Sequence, residues 1–78
     1  MDLKNIVKEL RTQANMTQQQ LANLVGVSSR TIISVEKQQY TPSLMLTYRI
    51  AQVFRTTVEN LYCLQENKKL EDLKYEKL

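Results

Sequence analysis

Residues 17–36 read TQQQLANLVGVSSRTIISVE, and this stretch decides how the rest of the chain is arranged. Thr17 is followed three residues later by Gln20, which is the spacing of a capping box and predicts the start of a helix. Gly26, the only glycine of the chain, lies where that helix must end, because glycine takes the left-handed conformation without steric cost. Ser28 then predicts the N-cap of a second helix. The stretch therefore predicts two short helices joined by a tight turn.

Apolar residues recur at helical spacing in both of these helices. In the first helix they are Leu21, Ala22, Leu24 and Val25. In the second helix Ile32 and Val35 share one face with the aliphatic part of Glu36. The opposite face carries Arg30, Ser34 and Lys37. A buried stripe and an exposed stripe on the helix after a tight turn are typical of a helix-turn-helix.

The composition favours one small all-α domain. The chain has 78 residues with one glycine and one proline, and it is rich in Leu, Gln, Glu and Lys, which does not suggest a sheet. The net charge is +3, and the excess lies in residues 1–65, which hold seven of the eleven Lys and Arg but only four of the eight Asp and Glu. This mild basic excess is compatible with a nucleic-acid partner and does not demonstrate one.

The residue types argue against catalysis, metal binding and membrane insertion. The chain has no histidine and a single cysteine, Cys63, so neither an intrachain disulfide nor a cysteine metal cluster is expected. It lacks a glycine-rich phosphate loop and a carboxylate pair on an apolar cleft, so we expect no enzyme and no cofactor. No apolar run approaches twenty residues and no secretory segment is recognisable, so we expect a cytoplasmic protein without a membrane partner.

Cap signals predict three more helices. Asp2 is the predicted N-cap of a first helix that ends at about Ala14. Thr41, as N-cap, precedes a fourth helix that runs from about Pro42 to Phe54. Thr57 caps a fifth. The expected apolar stripe of the first helix is Leu3, Ile6, Val7 and Leu10, and that of the fourth is Leu44, Leu46, Ile50, Ala51, Val53 and Phe54.

The charge pattern divides the chain in two. Residues 1–64 form the predicted compact five-helix domain. Residues 65–78 form a charged tail with spaced leucines, which we expect to be a dimerisation or partner segment. Helix, strand and disorder all remain open for this tail.

Residues 3–62 resemble the lambda-repressor-like, Cro-type (XRE family) helix-turn-helix domain, in the form found in short single-domain bacterial regulators. The matching segments are Leu10-Arg11, Met16-Thr17-Gln18, Leu21-Ala22, Val25-Gly26-Val27-Ser28, Thr31-Ile32, Val35-Glu36, Thr41-Pro42-Ser43-Leu44, Ile50-Ala51 and Val58-Glu59-Asn60-Leu61. The resemblance implies a five-helix fold, binding of a homodimer to double-stranded operator DNA, and transcriptional control, with repression as the expected outcome.

The same resemblance implies roles for individual residues. It places the helix of residues 28–38 in the major groove. The expected base contacts are Ser28, Ser29, Arg30, Ile33 and Ser34. The expected phosphate contacts are Gln18, Lys37, Gln39, Tyr40 and Thr41. Of the expected base contacts, only Arg30 can donate two hydrogen bonds to one guanine, because its guanidinium carries adjacent donors.

Structural roles follow from the resemblance as well. Arg11 and Glu36 match a family ion pair that joins the first helix to the recognition helix. Gln38 and Arg55 replace glycines that usually follow the third and fourth helices. The expected dimer interface is Leu61, Tyr62 and Leu64.

Two alternatives remain open. Ile33 either contacts a thymine methyl group or covers the flank of its helix. The chain as a whole could instead be a protein-interaction module, such as an antitoxin or an adaptor, whose tail docks a partner protein.

Overall fold

The computed structural model describes residues 4–63, which form five α-helices and contain no strand. The helices are α1 (Val7–Gln13), α2 (Gln18–Val25), α3 (Ser29–Glu36), α4 (Leu44–Val53) and α5 (Val58–Leu61). The all-α, five-helix prediction is confirmed for this part of the chain. The predictions on Asp2, Leu3, Leu64 and the tail of residues 65–78 lie outside the described residues.

The helix-turn-helix forms as its sequence predicts. The hydroxyl of Thr17 accepts from the N–H of Gln20 at 3.0 Å, and the Gln20 side chain accepts from the Thr17 N–H at 2.8 Å, so the capping box is present. Gly26 ends α2 with φ of 77°. The Ser28 hydroxyl accepts from the Thr31 N–H and caps α3.

The first helix begins later than predicted. We expected it to follow Asp2, but α1 starts at Val7. The Asn5 side chain accepts from the N–H of Val7 at 3.1 Å, and the N–H of Ile6 donates to the carbonyl of Leu61 at 2.9 Å. The main chain before Val7 is thus bonded to α5 instead of continuing the helix, a contact between distant parts of the chain that helical periodicity cannot reveal.

The fourth helix also begins later, and its cap was predicted wrongly. Ser43, not Thr41, caps α4, because its hydroxyl accepts from the N–H of Leu46 at 3.1 Å. Pro42 therefore lies outside the helix. Leu44, expected on the inner surface, is 75% exposed, and Thr47 is buried in its stead. Leu44 is the first residue of α4, and the inner side of the helix is formed by Leu46, Thr47, Ile50 and Ala51.

The core lies between the inner faces of all five helices. Leu24 of α2 was expected in the apolar stripe, but it is 61% exposed, because α3 and α4 cover only the other side of that helix. The buried apolar side chains are Val7, Leu21, Ala22, Val25, Ile32, Val35, Leu46, Ile50, Ala51, Leu61 and Tyr62. Full burial of each larger aliphatic side chain contributes about 2 kcal/mol.

Every helix of the described chain is followed by a residue with positive φ. These residues are Asn15 (55°), Gly26 (77°), Gln38 (61°), Arg55 (54°) and Cys63 (51°). The pattern of main-chain bonds around them satisfies the last carbonyls of each helix; after α4, Arg55 donates to Gln52 and Thr56 to Ala51. Four of the five pay a steric cost for this conformation, since only Gly26 lacks a Cβ.

We therefore expect Arg55→Gly to stabilise the domain by roughly 1 kcal/mol, the relief of left-handed strain less the added freedom of the unfolded chain. The matched control is Gln52→Gly, at an exposed position inside α4, which should destabilise by about 1 kcal/mol. Urea unfolding of both variants measures the two effects. Destabilisation by Arg55→Gly would contradict the strain at this position.

Burial raises the pKa of Tyr62 to about 12, against the opposing effect of a hydrogen bond with Thr47. Because the pKa of this phenol is higher in the folded than in the unfolded chain, its contribution to stability is complete below pH 10 and is lost as the pH rises towards 12. We expect the wild-type chain to lose more unfolding free energy between pH 9 and 11 than Tyr62→Phe does. Urea unfolding of both chains at the two pH values measures these losses. Equal losses in the wild-type chain and in Tyr62→Phe would show that the pKa of Tyr62 does not change on folding.

Candidate nucleic-acid interface

The outward face of α3 lies opposite its buried residues Ile32 and Val35. Helical spacing places Ser29, Arg30, Ile33, Ser34 and Lys37 on this face. Arg30 and Lys37 are exposed, and the other three are half-buried. The face thus presents two cations, two hydroxyls and one branched apolar side chain to whatever binds it.

Ser28 was predicted to contact bases, but its hydroxyl caps α3. It accepts from the N–H of Thr31 at 3.3 Å and lies 3.1 Å from the Thr31 hydroxyl. The side chain therefore sets where α3 begins, and a base contact would have to share this hydroxyl.

The structure brings Arg11 and Glu36 together across α1 and α3. The Arg11 Nε lies 2.6 Å from Glu36 Oε2, and Nη2 donates to Oε1 at 3.2 Å, a two-point pair with side chains only 11% and 4% exposed. Arg11 Nη1 also donates to the carbonyl of Met16 at 2.8 Å. The guanidinium thus joins α1, the segment before α2 and the end of α3.

The side chain of Gln18 was expected to contact a phosphate, but in the structure it is bonded to Glu36. Its amide Nε2 donates to Glu36 Oε1 at 3.1 Å, and the side chain is half-buried. Gln18 is the first residue of α2, so its main-chain N–H has no acceptor within the helix. The start of α2 consequently offers main-chain N–H groups to an anion, while the Gln18 side chain is bonded to the ion pair.

The segment between α3 and α4 carries the other expected phosphate contacts. Lys37, Gln39, Tyr40 and Thr41 are all exposed. Gln38, in the left-handed conformation, donates to Val35, and the main-chain N–H of Gln39 donates to the carbonyl of Ser34 at 3.0 Å. These bonds end α3 at Glu36, two residues before the predicted end, and aim the segment away from the helix axis.

The expected dimer residues are not surface residues. Leu61 is fully buried and Tyr62 is 2% exposed, so both side chains belong to the core of the described domain, while Leu64 lies outside the described residues. As packed here, neither side chain is exposed to a second copy of the chain, and the dimer interface stays a prediction. Their apolar character is explained by the packing of the short α5 against the rest of the domain.

Sequence reasoning missed Asn5. Its Nδ2 donates to the carbonyl of Val35 at 3.0 Å, which ties the segment before α1 to the end of α3. An asparagine just before a helix is a recognisable cap signal, but the helix was predicted to start at Asp2, which placed Asn5 inside it.

Within residues 4–63 no three His, Cys, Asp or Glu side chains are grouped in a way that could hold a metal ion. In the same part of the chain, no helix has the length and apolar character needed to cross a membrane.

Known proteins share this arrangement. The helix-turn-helix family model matches residues 7–61. An uncharacterized HTH-type transcriptional regulator of Archaeoglobus fulgidus is 44% identical over 64 residues, which cover 82% of this chain and 90% of that protein. The uncharacterized HTH-type transcriptional regulator YgzD of Bacillus subtilis is 39% identical over 64 residues, or 82% of this chain and 97% of the relative.

Solved structures agree with the fold. The restriction-modification controller protein C.AhdI of Aeromonas hydrophila superposes with a TM-score of 0.65 at 28% identity, covering 72% of this chain and 81% of its own. A hypothetical transcription factor from Neisseria, NHTF, gives a TM-score of 0.68 at 22% identity over 88% of this chain and 85% of its own, a likeness of fold.

The chain belongs to the XRE-like helix-turn-helix family, as its sequence segments predicted. It is a transcriptional regulator with a helix-turn-helix DNA-binding domain. This family consists of DNA-binding proteins rather than enzymes, which agrees with the prediction made from the residue types.

The ion pair gives a test of how α3 is held. Removing one partner leaves the other charge buried, so Arg11→Ala and Glu36→Ala should each cost about 3 kcal/mol of unfolding free energy. The double variant Arg11→Met/Glu36→Leu replaces both charges with apolar groups and should be more stable than either single variant. Urea unfolding of the three variants measures these differences. If each single variant loses less than about 1 kcal/mol of unfolding free energy, the pair behaves like an exposed salt bridge.

Proposed function

We propose that this chain is a sequence-specific repressor that binds operator DNA as a homodimer, with α3 in the major groove. The observation that carries the proposal is the placement of α3. Its Arg30 side is exposed while its last residue, Glu36, is bonded to both α1 and α2. A short helix held in this way presents a fixed set of side chains to base edges.

Base recognition would rest mainly on Arg30. A guanidinium bonded to O6 and N7 of guanine discriminates against other bases by about 1–3 kcal/mol. Ser29 and Ser34 accept or donate and specify little alone. Ile33, half-buried on the same face, is suited to a thymine methyl group at its outer edge, and its inner part covers the helix flank.

Affinity would come largely from phosphates on either side of α3. The main-chain N–H groups at the start of α2 favour an anion, as does the exposed Lys37 after α3. Gln39, Tyr40 and Thr41 continue this surface. In our proposal Gln18 contributes through its main chain, because its side chain is bonded to Glu36.

A second subunit is needed for selection of one operator. The recognition helix has eight residues and a single arginine on its outward face, too few base contacts for one copy to distinguish a site in a genome. Two copies would read half-sites about 34 Å apart, one turn of DNA. We propose that they meet beside α5 through residues around the buried Leu61 and through the tail of residues 65–78, and that the dimer acts in the cytoplasm, where bacterial operators are.

One observation favours the second candidate, a protein-interaction module such as an antitoxin or adaptor. The outer side of α4 exposes three apolar side chains near its start, Leu44, Met45 and Tyr48. Exposed apolar clusters of this kind often contact proteins. The tail of residues 65–78 would then dock a partner protein beside them.

Selection from random DNA separates the two candidates. The full chain is mixed with a library of random duplexes, and the bound fraction is amplified and sequenced over several rounds. The proposal expects an inverted repeat with half-sites about one turn apart, bound by two copies of the chain. No enriched sequence, together with equally weak binding to every duplex at low and high salt, would exclude the repressor.

Arg30 and Lys37 then test the assignment of roles. Arg30→Ala should lower affinity for the enriched duplex by roughly five- to a hundredfold and leave the melting temperature unchanged, because the side chain is exposed. Lys37→Ala should weaken binding to all sequences alike and reduce the salt slope by about 1. Competition titrations at several salt concentrations measure both. Early melting of Arg30→Ala would show that Arg30 is structural.

A further inference from the structure

Asn5 links the segment before α1 to the last turn of α3. Its Nδ2 donates to the carbonyl of Val35 at 3.0 Å, and its Oδ1 accepts from the N–H of Val7 at 3.1 Å. Both bonds are partly buried, and the side chain of Val35 is fully buried. An amide suits this position because one of its two atoms donates while the other accepts.

Val35 and Glu36 are the last two residues of α3, and both are bonded to the segment around α1. Glu36 is paired through its side chain with Arg11, whereas Val35 is bonded through its main chain to Asn5. A contact at one point lets a short helix rotate about that point. Two contacts on adjacent residues, one of them to the main chain itself, fix the rotation of α3 about its own axis as well as its distance from α1.

This fixation matters most at the other end of the helix. Arg30 lies five residues before Val35, about 7.5 Å along the axis. A tilt of roughly 10° about the fixed end would move Arg30 by about 1 Å, and hydrogen bonds to base edges span only about 2.7–3.2 Å. The pose of α3 is therefore as important for base recognition as the identity of its outward side chains.

We propose that Asn5 is a positioning residue for base recognition, which acts by fixing the end of α3 through the Val35 carbonyl and does not itself touch DNA. The inference rests on the proposed function, since it assumes that α3 reads bases. It assigns a role in specificity to a residue that lies outside the helix-turn-helix.

The decisive variant is Asn5→Asp. The carboxylate still accepts from the Val7 N–H, and a negative charge near the start of a helix is favourable, so α1 keeps its cap. It has no N–H to donate to Val35. Asn5→Ser is the second variant, because its shorter side chain can still cap α1 but does not reach Val35.

The matched control is Thr57→Ala. It removes a different bond between a side chain and the main chain, in which the N–H of Asn60 donates to the Thr57 hydroxyl at 3.1 Å at the cap of α5. All chains are full length and are measured at a temperature where circular dichroism shows each to be folded. The probes are a duplex enriched from the random library by the wild-type chain and a shuffled duplex of the same composition.

We expect Asn5→Asp and Asn5→Ser to bind the enriched duplex roughly three- to tenfold more weakly, the effect of one hydrogen bond. Binding to the shuffled duplex depends on phosphates and should not change in Asn5→Ser. The added negative charge of Asn5→Asp should weaken binding to both duplexes by the same factor, so the charge itself does not alter their ratio. Loss of the bond to Val35 weakens only the enriched duplex, and the ratio of the two affinities therefore falls in both variants. Thr57→Ala should melt at a lower temperature and keep the wild-type ratio.

Two results would overturn the proposal. The first is a ratio within twofold of wild type in both Asn5 variants. The second is an equal fall of the ratio in Thr57→Ala, which would reduce Asn5 to a general stabilising residue. If the wild-type chain prefers no enriched duplex, the proposed function is refuted, and the inference with it. This outcome is seen with the wild-type chain, before any variant is made.

Discussion

The ion pair between Arg11 and Glu36 is the interaction on which the rest of the arrangement depends. The buried Ile32 and Val35 hold α3 against the core, but apolar contacts are not directional. The pair supplies a directional contact in a place with little water, where a charged hydrogen bond is strong and a missing partner is costly. Because the same carboxylate also accepts from Gln18, the orientation of α3 is set jointly by α1 and α2. This network lies at the last residue of α3, whereas the exposed Arg30 lies near the start of the helix.

The boundaries of the helices are set by local contacts at their ends. Each of α2, α3, α4 and α5 begins with a hydroxyl that accepts a main-chain N–H, and each is followed within two residues by a left-handed residue. Short helices gain little from propagation, so these end contacts decide where they start and stop. The cost is visible at Gln38 and Arg55, which adopt a conformation better suited to glycine. A chain with one glycine thus forms five sharp helix ends at the expense of some stability.

The sequence was most informative where the determining contacts are local. The capping box of Thr17, the turn at Gly26 and the cap at Ser28 depend on residues within four positions of one another, and all three formed as predicted. Most errors arose from contacts between distant residues. The cap of α4, which is Ser43 and not Thr41, is an exception, because its bond to Leu46 is local. The start of α1 is set by bonding to α5, and the burial of Leu61 and Tyr62 depends on how α5 packs, which periodicity over four residues cannot specify. At the site, residue types indicated Arg30 and Glu36 through the family resemblance, but the amide of Gln18 facing Glu36 could be found only in three dimensions.

The main-chain bond from Ile6 to Leu61 has a consequence for how the domain is made. It joins the segment before the first helix to the last helix, so the two ends of the described chain are neighbours in space. Asn5, adjacent to Ile6, reaches the end of α3 from this same position. During synthesis the helix-turn-helix is complete long before Leu61 has been added, yet the segment that steadies α3 has no partner for its main chain until then. Because helices this short are not stable alone, a growing chain would acquire its stable helices and its final geometry together, once the fifth helix has been synthesised, so that this small domain folds as one cooperative unit.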